Sequence, residues 1–220
     1  MTRTFQGTNP RGRILTRLAG VCGAVFTLAL LVGGIALGTE GLLTGRVADH
    51  LAALKRRTEI PPAYAPIDFA WIAQLPAPEI RTVSDLAAVG EVEQHAVALA
   101  GYIVRVMPVP AQLGRRRAAD WEFHVHLRLA PAQRCEYQDD PRNVVAVVTP
   151  SFQPPHTGWD FDVLSDLCRE QPRVRLSGWL LYDYFTGPQV GKSRASPWSI
   201  HPVTQIEIWN SRDRSWDRLR

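Results

Sequence analysis

The chain has 220 residues, is 45% apolar and carries a formal charge of +4. That is room for one ordinary domain with a leader and a linker, and it excludes a large multidomain enzyme. The excess positive charge does not indicate a nucleic-acid-binding domain. Arg3, Arg11, Arg13 and Arg17 precede the first acidic residue, Glu40, and removing these four from the 25 basic residues leaves 21 against 21 acids.

Residues 1–17 therefore read as a basic leader. Residues 18–39 (Leu18 to Thr39) contain no charged side chain and are long enough to cross a bilayer as a helix, about 20 residues being needed. Arginines on the N-terminal side of such a run keep that end in the cytoplasm and place the rest outside. The length favours a single-pass anchor in a bacterial cytoplasmic membrane over a cleaved secretory signal, whose apolar core is about 7–15 residues. Ala36-Leu-Gly38 keeps cleavage open as an alternative. Residues 40–90 read as a stalk and spacer: Leu42, Leu43, Val47, Leu51 and Leu54 recur at helical spacing, and Pro61, Pro62, Pro66, Pro76 and Pro78 then argue for extended chain. Ser84 is expected to cap a short helix.

Residues 91–209 read as the folded domain, followed by a charged tail at 210–220. Strands are expected at Ala96 to Met107, Asp120 to Leu129, Asn143 to Thr149, Arg173 to Tyr184 and Ser199 to Trp209, with a helix capped by Asp160 between the third and fourth. Gly101 suggests a bend in the first strand. Three strands, a helix and two strands predict a mainly β fold, a five-stranded OB-fold Greek-key barrel preceded by the transmembrane helix. On that fold, ligands lie across the second and third strands.

The second strand alternates without a break. Trp121, Phe123, Val125, Leu127 and Leu129 fall on one face, and Asp120, Glu122, His124, His126 and Arg128 on the other. The first set predicts a core face and the second a solvent-facing, ligand-binding stripe. His124 and His126 point the same way beside Glu122, so the stripe also offers ligands for a divalent metal, although ordinary polar strand positions read the same way. The loops at either end of this face are basic, with Arg115, Arg116 and Arg117 in one and Lys192 and Arg194 in the other, which favours an anionic ligand. Trp179 and Trp198 are the expected exposed aromatics. Cys135 and Cys168 are the two cysteines beyond the apolar run, a candidate disulfide in an oxidising compartment.

Asp120-x-Glu122-x-His124, Ser177-Gly-Trp-Leu-Leu-Tyr-Asp183, the Gly187-Pro-Gln-Val-Gly191 loop and Trp198-Ser-Ile-His201-Pro-Val-Thr-Gln-Ile206 together resemble a group of secreted or membrane-tethered bacterial OB-fold domains of uncharacterised function. The resemblance spans Ala96 to Trp209. It implies a fold and a compartment but no activity, and its recurring positions are Asp120, Glu122, His124, Asp183 and His201. Glu122 stands where an Asp is typical, and His126 and the arginine-rich loop are additions.

Two functions follow as expectations. One is a membrane-anchored extracytoplasmic binding module, without a cofactor, for an anionic polymer or an envelope protein; nucleic acid is the less favoured polymer. The other is a metal-dependent, nuclease-like hydrolase using the Glu122, His124 and His126 cluster with Asp183 and His201. No Cys-x-x-Cys pair, HExxH helix or phosphate-cradling glycine loop is present.

Overall fold

A computed structural model describes residues 43–113, 116–135, 139–153 and 158–220, and for 112–120 the backbone alone. The basic leader and the apolar run at 18–39 lie outside the described residues. Among the described residues no helix is long and apolar enough to cross a membrane.

The Arg46–Arg220 unit is organised by one long strand, β2 (Ala96–Leu113), flanked in sequence by the short parallel strand β1 (Ala65–Ile67) and the long β3 (Arg116–Arg128). β4 (Val144–Val148), β5 (Arg173–Tyr182), β6 (Trp198–Asn210) and β7 (Ser215–Arg218) complete the sheet. Its order is β1-β2-β3-β4-β6-β5, with β7 on β6 and a further pairing of β2 with β5. The architecture is thus a seven-stranded mixed sheet, and this corrects the expected five-stranded OB-fold barrel. The difference comes from two segments that do not look like strands in sequence. β1 lies in the proline spacer and pairs in parallel with Val97–Leu99; Pro66 is tolerated because an edge strand can spare an N–H. β7 lies in the charged tail and is held on β6 by pairing from Glu207↔Arg218 to Asn210↔Ser215, with the Trp209 and Trp216 rings 5.1 Å apart.

β2 changes partners along its length. Residues Ala96–Tyr102 pair with β5, and Tyr102–Leu113 pair with β3. Gly101 sits at the handover, where a Cβ would come within 2.6 Å of the Arg128 carbonyl oxygen and 2.8 Å of the Phe69 ring. Pro108 and Pro110 do not end the strand. They lie opposite Phe123 and Trp121, so the expected loop at 108–119 is a two-stranded ribbon instead. Its turn, with Arg115, lies outside the described residues.

The core side of the sheet collects Val97, Leu99, Phe123, Val125, Leu127, Val144, Ala146, Val174, Leu176, Ile200 and Ile206. Against it pack α2 (Phe69–Gln74), α3 (Val83–Val92) and α4 (Phe161–Glu170), through Ile72, Val89, Leu164, Leu167 and Cys168. α4 starts where expected, with the Asp160 carboxylate accepting from the Val163 N–H. α3 is capped by Thr82, two residues before Ser84, in a Thr82–Asp85 capping box that satisfies two otherwise orphaned backbone donors. Cys135 and Cys168 form a disulfide, tying the segment after β3 to α4.

Helix α1, residues 46–55, buries Val47, Leu51, Ala52 and Leu54. His50 Nε2 donates to the fully buried Glu93 carboxylate at 2.6 Å, and the Arg57 guanidinium lies 4.5 Å over the Trp179 ring. This part of the expected stalk is attached to the sheet domain.

Gly178 is the tightest approach in the sheet. A Cβ there would meet the Pro202 carbonyl oxygen at 2.1 Å. Gly178→Ala is expected to destabilise by about 3 kcal/mol, as forced overpacking does, measured as a lower urea midpoint at unchanged slope; an unchanged midpoint would refute the packing.

Candidate functional site: the two ends of β3

The alternation of β3 is present, but the sheet covers only its middle. Phe123↔Val148 and Val144↔Leu127 are the outermost rungs with β4. Phe123, Val125 and Leu127 are therefore buried, whereas Trp121 and Leu129, one step beyond each end, are 52% and 71% exposed.

The polar face is not the open stripe that the alternation suggests. Glu122 and His126 are each only 4% exposed, and His201, on β6, is 3% exposed. His124 Nε2 donates to Glu122 Oε1 at 2.8 Å, and the Asn143 amide lies 3.4 Å from His126 Nδ1. Two elements outside the strand explain the burial. The β5–β6 turn reaches over one end, with the Ala195 N–H on the Asn143 carbonyl oxygen at 2.8 Å and the Arg194 charge felt at His126. At the other element Lys55, in α1, is close enough to His201 for its charge to act there. Burial pushes the His126 imidazole down to about 3, helped by the charges of Arg105, His124 and Arg194. Burial likewise holds His201 well below the ordinary range, with Lys55 and His124 adding to the effect. Both rings are neutral at pH 7.

The structure thus brings His124 within electrostatic reach of both His126 and His201. Asp183 stands apart at the β5–β6 turn, where its backbone N–H donates to the Pro197 carbonyl and its carboxylate accepts from the Phe185 N–H. Asp120 is a backbone position in β3; its side chain lies outside the described part. Among the described residues no group of three or more His, Cys, Asp or Glu is placed to hold a metal ion.

The basic loops also change character. Arg194 is buried, and its guanidinium donates to the Ser196, Pro197 and Trp198 carbonyl oxygens, so it closes the turn rather than lining a ligand. Lys192 is exposed on that turn. Arg116 and Arg117 are in β3, paired with Leu113 and Gln112 at the end of the ribbon. Trp198, expected at the surface, is buried against Tyr182 and donates from Nε1 to the Pro76 carbonyl at 2.7 Å. Trp179 is half-buried under Arg57 and bonded to the Glu59 carbonyl.

At the opposite end from the ribbon, β3 runs into a concave site. Phe69, Arg128, Leu129, Pro131, Gln133 and Arg142 are among the residues lining a groove of about 470 Å³. Arg128 Nη1 donates to Asp140 Oδ2 at 2.9 Å, and Arg142 grips the same carboxylate through Nε at 3.0 Å and Nη2 at 2.6 Å. The Arg142 hydrogen bond, outweighing partial desolvation, draws the Asp140 carboxyl down to about 2, so it stays ionised and fixes both guanidiniums. Of this group the alternation of β3 singles out only Arg128. Phe69 sits in the proline spacer, and Arg142 follows an Asp-Asp-Pro turn, where a surface arginine is commonplace.

Comparison with protein-family models, curated proteins and solved structures finds no match for this chain.

The buried imidazoles make stability depend on pH. In the unfolded chain they take up protons near their ordinary value of 6.5, while the folded His126 does not until about pH 3. Stability from these groups is therefore complete above pH 6.5 and is lost as pH falls below it. The urea midpoint should drop between pH 7.5 and pH 4.5, and His126→Asn should flatten part of that fall; a pH-independent midpoint would contradict the buried neutral rings.

Proposed function

We propose that the protein is a binding module working outside the cytoplasm, and that it holds an anionic polymer through the β2–β3 ribbon. One observation carries the reading. Beyond Phe123↔Val148, residues Val109–Leu113 and Arg116–Glu122 pair only with each other. The ribbon this makes is about 20 Å long at the usual rise per strand residue, and it carries Arg116 and Arg117 at its far end. Adjacent arginines at the end of a two-stranded ribbon suit a string of negative charges, because each phosphate or carboxylate neutralised releases a counterion. A ribbon of two strands also adapts to a polymer surface better than the closed, neutral His face does.

The compartment has independent support. A disulfide between Cys135 and Cys168 persists where thiols are not kept reduced. The arginines that precede an uncharged apolar run in the sequence favour export of everything after it. The metal-dependent alternative has no comparable observation behind it.

With inorganic polyphosphate as the probe, binding should weaken steeply with salt, and the Arg116→Glu, Arg117→Glu double variant should lose about tenfold or more in affinity at an unchanged melting temperature. Unchanged affinity in that variant would remove the ribbon from the interface. In the same preparation, reduction of the disulfide should lower stability by about 3–4 kcal/mol, read as a shift in the denaturation midpoint.

A further inference from the structure

The turn between β5 and β6 holds two apolar side chains in water. Phe185 is 64% exposed and Val190 37% exposed, and both stand on a segment whose shape is fixed from inside. The buried Arg194 guanidinium donates to three carbonyl oxygens of the same turn. The Asp183 carboxylate accepts from the Phe185 N–H, and the Thr186 hydroxyl donates to the Asp183 carbonyl oxygen at 2.9 Å. Gly191 takes the left-handed backbone, φ 77°, and its N–H donates to the Arg194 carbonyl oxygen at 2.9 Å. A turn held in this way does not fold its apolar side chains back onto the domain. Phe185 to Trp198 contains no acidic residue, and Lys192 is exposed beside Val190.

The same end of the sheet receives the incoming chain. α1 lies along β5 in the opposite direction. Arg57, just after the helix, stacks over Trp179, and His50 reaches Glu93, whose carboxylate also accepts from the Tyr182 N–H at 2.9 Å. The span from His50 to Arg57 advances about 10 Å as a helix, and that from Trp179 to Tyr182 about 10 Å as a strand. The two therefore run in step, and the direction they set carries Arg46 toward the end of the sheet where β5 passes into Phe185. The β6–β7 turn is at the other end, because β6 runs back along β5 from Tyr182↔Trp198 to Val174↔Ile208.

We propose, resting on residues 18–39 as a membrane anchor, that the β5–β6 turn is a membrane contact. Phe185 and Val190 enter the boundary between headgroups and acyl chains, and Lys192 meets anionic headgroups. Only residues 40–45 separate the uncharged run from Arg46, so the anchor ties this end of the domain to the bilayer. An apolar pair flanked by a cation suits that boundary, where burial of apolar surface and attraction to anionic lipid act together. The contact gives the domain a fixed orientation, with the β6–β7 turn directed away from the lipid.

Spin labels on single cysteines test the contact, in the full chain carrying Cys22→Ser and reconstituted in vesicles of phosphatidylethanolamine and phosphatidylglycerol. Cys135 and Cys168 are joined to each other and take no label. A label at Phe185→Cys is expected to collide more with oxygen and less with a water-soluble nickel chelate than one at Ser211→Cys, which is exposed on the β6–β7 turn and should read as aqueous. Both variants replace exposed side chains and should keep the parent melting temperature. A chain that does not float with the vesicles would remove the anchor and the contact together. A chain that floats while the label at 185 stays as aqueous as that at 211 would overturn the contact alone. So would a label at 185 shielded from both probes, as in a protein interface.

Discussion

The structure depends on one close approach, where β2 passes from β5 to β3 at Gly101 and Tyr102. With no Cβ at Gly101, the strand can lie close against both the Arg128 carbonyl oxygen and the Phe69 ring. That contact turns a single 18-residue strand into the support of two different places. Its first half sits in the body of the sheet between β1 and β5. Its second half pairs with β3, first within the body of the sheet and, from Val109 onward, in the ribbon. The same approach brings Phe69, from the proline spacer, to the end of β3.

The chemistry of β3 follows from how far its neighbours extend. β4 is five residues long and covers the middle of a thirteen-residue partner. Where β4 runs, both faces of β3 are enclosed: the apolar side in the core, the polar side under the β5–β6 turn and beside α1. On this enclosed polar face Glu122 bonds to His124 and the Asn143 amide approaches His126, while among the described residues Asn143 Oδ1 and His201 Nε2 have no hydrogen-bond partner. One step beyond each end of β4, Trp121 and Leu129 come to the surface. The centre of the strand is thus enclosed.

Much of this was legible in the residues, and the failures have physical causes. Period-two alternation located β3, and the Asp160 cap and the apolar spacing after it located α4, because these signals are local. The pairing of Cys135 with Cys168 agrees with what two thiols in an oxidising compartment suggest. What could not be read was burial imposed from a distance. Nothing in Asp120 to Leu129 says that residues near 55 and 194 will fold over His201 and His126, or that Arg194 will spend its guanidinium on three carbonyls of its own turn. Pro108 and Pro110 looked like a loop because proline breaks ladders, yet in a ribbon with an open edge the missing N–H costs little. β1 and β7 are three and four residues long and carry too little pattern to be seen, and with them the architecture changed from a five-stranded barrel to a seven-stranded sheet.

The central claim is positional: the binding surface we propose is the β2–β3 ribbon and not the histidine face. Backbone amide chemical-shift mapping on the full chain, titrated with polyphosphate, tests it most directly. Shifts confined to the ribbon, with His124, His126 and His201 undisturbed, are the predicted result. Shifts centred on those three histidines would contradict it.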